Sequence, residues 1–177
     1  MRKENSSSET HYVLLSMLSL SKTKHVGRLP VLGFNKIEKM VISEMRKIYS
    51  KKAIDHAMNP RNVGRIEEAT GVARITGSCG DTMEISLKIG SGKIVEAKFL
   101  TDGCGASIAC GSIITELIKG KHIFEVQKFD SKRILEALNG LPESDIHCSV
   151  LASNTLEAAI KDYMSWKNER NNVNKRR

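Results

Sequence analysis

Residues 81–101 of this chain read DTMEISLKIGSGKIVEAKFLT, and this stretch decides the fold. Apolar and polar side chains alternate over residues 81–89 and again over residues 93–101, which is the pattern of strands with one buried face. The apolar positions are Met83, Ile85, Leu87 and Ile89 in the first run and Val95, Ala97 and Phe99 in the second. The intervening Gly90-Ser91-Gly92 suits a tight hairpin loop, so the stretch predicts two antiparallel strands with one buried face.

The pattern changes on both sides of this hairpin. A weaker strand-like run, residues 71–77, precedes it, whereas helical spacing of apolar residues follows it. Predicted helices cover residues 51–58 with Ser50 as N-cap, residues 106–119 ended by Gly120, a short piece at 123–127, residues 132–138 with Ser131 as N-cap, and residues 148–166. Strands first and helices afterwards predict an α+β fold, a three-stranded antiparallel sheet with helices packed on one face.

The charge of the chain is concentrated at its ends. Residues 1–47 carry nine Lys/Arg against four Asp/Glu, and residues 167–177 carry five against one, whereas residues 48–166 carry fourteen against fifteen. The formal net charge of +8 therefore does not belong to the central domain, and we expect no nucleic-acid partner. No apolar run approaches the roughly 20 residues of a membrane-spanning helix, so we expect a soluble protein with no membrane partner.

The chain is most simply one domain with two extra segments. We expect residues 1–45 to be a disordered extension or leader, residues 46–166 to be the functional domain, and residues 167–177 to be a basic flexible tail. The leader could be a mitochondrial transit peptide, or an upstream extension with the functional chain beginning near Met40 or Met45. We do not expect a secretory signal, because the apolar stretch is short and no small-residue cleavage site follows it.

Three cysteines stand beside distinctive neighbours. They occur as Cys79-Gly80-Asp81, Gly103-Cys104-Gly105 and His147-Cys148. Cys79 falls in a turn between strands, Cys104 at a strand-to-helix junction and Cys148 at a helix start, where the helix dipole favours a thiolate. Such a soft donor set suits Zn²⁺ or an iron–sulfur cluster. A fourth cysteine, Cys110, is predicted to pack within a helix, with a spare or resolving thiol as the alternative.

These motifs resemble one family. The matching stretches are Tyr49-Ser50, Asp55-His56, residues 59–64 (NPRNVG), Cys79-Gly80-Asp81, residues 102–105 (DGCG), Thr115-Glu116, residues 119–121 (KGK) and residues 146–149 (IHCS). In this order and spacing they resemble the U-type scaffold proteins for iron–sulfur cluster assembly, a family that includes the N-terminal domain of the nitrogen-fixation scaffold. The resemblance covers about residues 46–166.

The resemblance implies a function and a ligand set. Cys79, Cys104 and Cys148 would ligate a transient [2Fe-2S] cluster, and Asp81 or His147 would complete the set. Sulfur would arrive from a cysteine desulfurase as a persulfide, accepted by Cys148 or Cys104. An electron donor such as a ferredoxin and apo iron–sulfur recipient proteins would be the other partners. The protein would then be a scaffold and persulfide acceptor rather than a turnover enzyme, and Zn²⁺ could occupy the same groups.

Two departures narrow the implied function. Relatives served by a dedicated chaperone carry a leucine-proline-proline-valine-lysine stretch, whereas residues 141–145 here read LPESD, so the resemblance does not extend to that partnership. Sulfur-relay relatives lack the histidine that this chain keeps as His147, which favours the scaffold over the alternative, a zinc-binding sulfur acceptor working with a desulfurase. Dispersed cysteines fit a reducing compartment, so we expect the cytoplasm, or the mitochondrial matrix if residues 1–45 are a transit peptide.

Overall fold

The computed structural model describes residues 34–175 of the chain. Its elements are, in order, α1 (Phe34–Met45), α2 (Lys51–Met58), β1 (Gly71–Thr76), β2 (Thr82–Gly90), β3 (Lys93–Thr101), α3 (Gly105–Ile118), α4 (Ile123–Val126), α5 (Ser131–Ala137), a 3₁₀ turn (Glu143–Asp145) and α6 (Ile146–Lys175). The predicted α+β fold with a three-stranded antiparallel sheet is confirmed. Within these residues, no helix combines the length and apolar character needed to cross a membrane.

The sheet is a simple meander in the order β1-β2-β3. Ala73, Ile85 and Phe99 lie opposite one another across the three strands and mark the face that the helices cover. Ser91 and Gly92 form the hairpin loop with φ values of 52° and 75°. Positive φ at both loop residues matches the twist of the flanking strands, so this turn fixes the register predicted from residues 81–101.

One apolar position of the hairpin was predicted on the wrong face. Lys88 pairs with Glu96 but Ile89 pairs with Ile94, so the intervening Val95 is the extra residue of a β-bulge. Val95 is consequently 57% exposed, and Ile94, which is fully buried, takes its place in the core. Simple alternation could not predict this because a bulge shifts the pattern by one residue.

Helices α3 and α6 pack against the same face of the sheet at very short range. A Cβ on Gly111 of α3 would stand 2.3 Å from the Phe99 ring, and one on Gly71 of β1 would stand 2.4 Å from the backbone oxygen of Ala159 on α6. Glycine therefore permits both contacts. Nearly every residue of α3 is buried, because sheet, α2 and α6 surround it.

The structure differs from the helix predictions at α6, at the cap of α5 and at α1. Helix α6 begins at Ile146 and continues to Lys175, beyond the predicted 148–166, because no glycine or proline interrupts residues 167–175. Asp130, rather than Ser131, caps α5, since its carboxylate accepts a hydrogen bond from the Arg133 amide at 3.0 Å. Helix α1 was not predicted at all.

The signal for α1 was nevertheless present. Apolar residues recur at Ile37, Val41 and Met45, a four-residue spacing, and the Met45 side chain is buried. The division of the chain into an extension (1–45), a domain (46–166) and a tail (167–177) stays a prediction. The parts of that prediction that concern residues 1–33 and 176–177 lie outside the described residues.

We predict that Gly111→Ala destabilises the protein by about 1–3 kcal/mol, because the new methyl group would overlap the Phe99 ring. In an exposed helix interior the same change would stabilise by about 1 kcal/mol, so the sign of the effect is diagnostic. Urea unfolding followed by circular dichroism measures it. The cost should shrink in a Phe99→Leu background, and a stability at or above that of the wild type would contradict the close contact.

Candidate metal centre

Three of the predicted ligands meet at one end of the sheet. Asp81 lies just before β2, Cys104 is the N-cap of α3, and Cys148 lies in the first turn of α6. Their donor atoms are all within 4.8 Å of one another, and the Cys104 and Cys148 sulfur atoms are 3.9 Å apart. Elements far apart in sequence thus converge on a pocket of two sulfurs and a carboxylate, a donor set suited to a soft or borderline metal.

The Asp81 carboxylate is held by the start of α3. Its Oδ2 accepts hydrogen bonds from the Cys104 amide at 3.2 Å and from the Ser107 hydroxyl at 2.7 Å. The carboxylate therefore accepts hydrogen bonds at the N-terminus of α3, where the helix dipole favours a negative charge. Ser107 was not among the residues predicted to belong to the site. The sequence pattern that could have indicated it is a serine at the third residue of the helix for which Cys104, a candidate ligand, is the N-cap.

Gly103 makes room for this carboxylate. A Cβ at this position would lie 2.3 Å from the Asp81 Oδ2 atom and 2.8 Å from the Ser107 Cβ atom. Real Cβ atoms do not approach other atoms so closely, so a side chain here would displace Asp81. Glycine at position 103 therefore leaves the space that the Asp81 carboxylate occupies.

The two neighbouring thiols differ in protonation. A hydrogen bond from Cys148, with the backbone amides of Ser107 and Ala106, lowers the pKa of Cys104 to about 6, although burial and the nearby Asp81 charge oppose this shift. The pKa of Cys148 is raised because its thiol donates to Cys104 and because it is buried. The pair therefore favours a single thiolate, on Cys104 at the start of α3, with the Cys148 sulfur as its hydrogen-bond partner.

The other two predicted ligands lie near this group but outside it. His147 precedes Cys148 on α6, and its Nε2 atom is 3.5 Å from the Cys148 sulfur. Cys79 is exposed on the β1–β2 turn, which is closed by a 2.8 Å hydrogen bond from the Gly77 amide to the Asp81 carbonyl. The structure thus brings together Asp81, Cys104 and Cys148 in one group, with His147 in contact and Cys79 on the adjoining turn.

A second set of contacts positions the segment that carries His147 and Cys148. The Tyr49 hydroxyl donates to Asp145, directly before α6, and the Ser50 hydroxyl donates to the Leu138 carbonyl while also capping α2. Burial and this hydrogen bond to Asp145 raise the pKa of Tyr49, so it stays protonated and remains a donor. Tyr49 and Ser50 therefore fasten the start of the domain to the approach to α6.

A buried polar network fastens residues 59–64 to α3. The Arg61 amide donates to the Ser112 hydroxyl at 2.9 Å, and that hydroxyl lies 2.8 Å from His56 Nδ1. The other ring nitrogen of His56, Nε2, lies 3.6 Å from the Glu116 carboxylate on α3. Burial, with a smaller contribution from Arg61, lowers the pKa of His56 and keeps it neutral. The network is structural and contacts none of the candidate ligands.

Cys110 belongs to the core rather than to the site. It is fully buried on α3, and this burial raises the pKa of its thiol. The prediction that Cys110 packs within a helix is confirmed. It provides a natural control for the other cysteines because it is unreactive by position.

We predict that iodoacetamide modifies Cys104 in metal-free protein at a rate that rises through about pH 6 and levels off before pH 8. The thiolate is the reactive form, and the pKa of this thiol lies below its ordinary value of 9.0. Peptide mass spectrometry measures the rate at each pH. Cys148→Ala should move the midpoint upward, whereas Cys148→Ser keeps a hydrogen-bond donor and should move it less. A midpoint near 9 in the wild type would contradict the assignment.

We predict that the effects of Gly103→Ala and Asp81→Ala are coupled. The added methyl group overlaps the Asp81 carboxylate, so Gly103→Ala should cost about 1–3 kcal/mol in the wild type and clearly less once Asp81 is removed. Chemical denaturation of the two single variants, the double variant and the wild type in the presence of a chelator measures the coupling. Simple additivity of the two effects would show that Gly103 does not act on the carboxylate.

A family model and the sequences of two known proteins match most of the described part of this chain. A family model described as "NifU-like N terminal domain" matches residues 48–170. The chain is 48% identical over 117 residues to "Iron-sulfur cluster assembly scaffold protein IscU 1" of Archaeoglobus fulgidus, covering 66% of this chain and 76% of that protein. It is 44% identical over 122 residues to the Escherichia coli (strain K12) protein named "Iron-sulfur cluster assembly scaffold protein IscU", covering 66% of this chain and 94% of that one.

A solved structure agrees in fold. The crystal structure of an N-terminal, nitrogen-fixing NifU-like protein from Brucella abortus matches with a TM-score of 0.55 and 20% identity, covering 68% of this chain and 97% of that one. At this identity the likeness speaks for the fold alone. The family model spans most of the chain and the two sequence relatives exceed 40% identity, so the chain belongs to the NifU-like N-terminal domain family.

Proposed function

We propose that this protein is a scaffold on which a [2Fe-2S] cluster is assembled from iron and desulfurase-derived sulfur and then transferred to apo-proteins. The observation that carries the proposal is the convergence of Asp81, Cys104 and Cys148, with donor atoms within 4.8 Å of one another. Relatives that are 44–48% identical are named as iron–sulfur cluster assembly scaffolds, which supports the same role here.

The proposed ligands are the three thiolates of Cys79, Cys104 and Cys148, with Asp81 or His147 as the fourth. Cys104 and Cys148 form the fixed part of the site because α3 and α6 hold them. Cys79 is exposed on a turn, so it can close over the cluster and open again without disturbing the sheet. An oxygen or nitrogen fourth ligand binds iron less firmly than a fourth thiolate would, which suits a cluster that has to leave.

The proposed sulfur acceptor is Cys104, with Cys148 as the second candidate. The Cys104 thiolate attacks the outer sulfur of a persulfide on the cysteine desulfurase. A new S–S bond forms on Cys104, the old S–S bond breaks, and the desulfurase cysteine leaves as a thiolate. Two electrons, from a donor such as a ferredoxin, reduce the transferred sulfur to sulfide. Cys104 is favoured because Cys148 retains its proton and is fully buried.

Zinc could occupy the same donor set, because two or three thiolates with a carboxylate or an imidazole form an ordinary zinc site. The alternative function, a zinc-binding sulfur acceptor that relays sulfur from a desulfurase, is not favoured by the names of the relatives. We therefore propose Zn²⁺ as an ion that fills the site between rounds of assembly. A protein that bound zinc tightly and never formed a cluster would reverse this preference.

The proposed compartment is the cytoplasm. All four cysteines are free, and unpaired thiols persist in a reducing environment. The mitochondrial matrix is the alternative if residues 1–45 act as a transit peptide. N-terminal sequencing of the mature protein from its own cell distinguishes the two, since removal of the leader would expose a new N-terminus within or just after these residues.

We predict that anaerobic incubation with ferrous iron, cysteine and a cysteine desulfurase produces the visible absorption of a [2Fe-2S] cluster. Cys79→Ala, Cys104→Ala and Cys148→Ala should each lose most of this absorption, because each removes a proposed ligand. Absorption spectroscopy with iron and sulfide analysis measures cluster content per chain.

Cys110→Ala is the matched control, since Cys110 is a cysteine of the same chain that lies in the core. This variant should assemble as much cluster as the wild type, provided that circular dichroism shows it folded. Full cluster content in a Cys104→Ala or Cys148→Ala variant would contradict the ligand assignment and with it the proposed function.

A further inference from the structure

A groove with a basic and aromatic lining lies at the other end of the molecule from the metal centre. It has a volume of about 340 Å³ and is lined by Lys121, Phe124, Glu125, Lys128, Phe129 and Arg133. We call it the basic groove. The proposed function uses none of these residues.

The fold places the basic groove at the tip of the β2–β3 hairpin. Ile94 and Gly92 of the hairpin exchange backbone hydrogen bonds with Lys121 and Ile123, each at 2.9 Å. Cys104 lies at the opposite end of β3 and of α3, and a helix of 14 residues such as α3 is about 20 Å long. A protein bound in the groove could therefore stay in place while the metal centre is being filled or emptied.

The cations of this region have no ion-pair partner inside the domain. Residues 119–133 contain five Lys/Arg and two Asp/Glu, although residues 48–166 as a whole carry fourteen against fifteen. Among the described residues, no carboxylate lies within 4.0 Å of the charged nitrogen atoms of Lys121, Lys128 or Arg133. Their positive charge is available to an external anion.

Aromatic side chains give the groove an apolar part. Phe129 is only 8% exposed and forms the floor, with the Arg133 guanidinium 4.7 Å from its ring centroid. Phe124 is 60% exposed at the rim and is held by stacking on His122, with ring centroids 5.0 Å apart. A large aromatic side chain held in the open beside unpaired cations is the composition of a protein-binding surface rather than of a merely solvated one.

We propose that the basic groove binds an acidic segment of a partner protein. An apolar side chain of that segment would pack against Phe124 and Phe129, and its flanking carboxylates would pair with Lys121, Lys128 and Arg133. A long polyanion fits less well. One reason is that Glu125, an acidic residue, lies in the lining itself. The other is that the domain outside residues 119–133 is acidic, with nine Lys/Arg against thirteen Asp/Glu over the rest of residues 48–166, and would repel a long polyanion.

The test uses the full chain at about 150 mM salt, near physiological ionic strength. The probe is a fluorescein-labelled heptapeptide with a central phenylalanine flanked by glutamates, and its binding is followed by fluorescence anisotropy. Lys128→Glu and Phe124→Ala should each weaken binding about tenfold, since one removes a charge partner and the other an apolar contact. Lys51→Glu, which changes an exposed lysine on α2 by the same charge, should change the affinity less than about twofold.

Several results would overturn the proposal. Equal affinity of the wild type, Lys128→Glu and Phe124→Ala would show that the groove is not the binding site. Equal binding of a peptide with lysines in place of the glutamates would remove the role of charge. Variant-sensitive binding that was tighter for a single-stranded oligonucleotide or for phosphatidylserine vesicles than for the peptide would assign the groove to another class of ligand. Cluster reconstitution with iron and inorganic sulfide should be unchanged in Lys128→Glu, so this proposal and the scaffold function can fail separately.

Discussion

The hydrogen bonding of the Asp81 carboxylate to the first turn of α3 is the interaction on which the candidate metal centre depends. It joins the turn before β2 to the start of a helix through the Cys104 amide and the Ser107 hydroxyl. The same helix start stabilises the Cys104 thiolate, and Gly103 leaves the space in which the carboxylate lies. A negative carboxylate and a thiolate repel each other at this short range. Helix amides and hydroxyl groups offset that repulsion, which makes the pocket ready for a cation.

The remainder of the domain holds in place the three elements that carry the proposed ligands Asp81, Cys104 and Cys148. The close contacts of α3 and α6 with one face of the sheet fix Cys104 and Cys148 relative to each other. Tyr49 and Ser50 anchor the segment that leads into α6, and the His56–Ser112 pair anchors residues 59–64 on α3. Only Cys79 is left on an exposed turn. A site that is rigid on two sides and open on the third suits a cluster that is assembled and then released.

Sequence patterns predicted the strands and helix ends that depend on residues close together in the sequence. The alternation in residues 81–101 predicted β2 and β3, and Ser50 and Gly120 marked helix ends, because caps and pleats depend on neighbouring residues. Val95 was predicted on the wrong face because a bulge depends on pairing with another strand. The choice between Asp130 and Ser131 as a cap depends on backbone dihedrals that composition does not contain.

In the candidate metal centre, too, the sequence predicted what depends on neighbouring residues and not what depends on tertiary contacts. Glycine, aspartate and histidine neighbours indicated which cysteines carry chemistry, and the family resemblance ordered them into one ligand set. The separation of Cys79 from Cys104 and Cys148, and the role of Ser107, depend on tertiary geometry. The most direct test of the account is Mössbauer spectroscopy of protein reconstituted with ⁵⁷Fe. Three thiolates with one oxygen or nitrogen ligand predict two inequivalent ferric sites of equal intensity. A single type of ferric site, as four thiolates would give, would contradict the mixed-ligand centre.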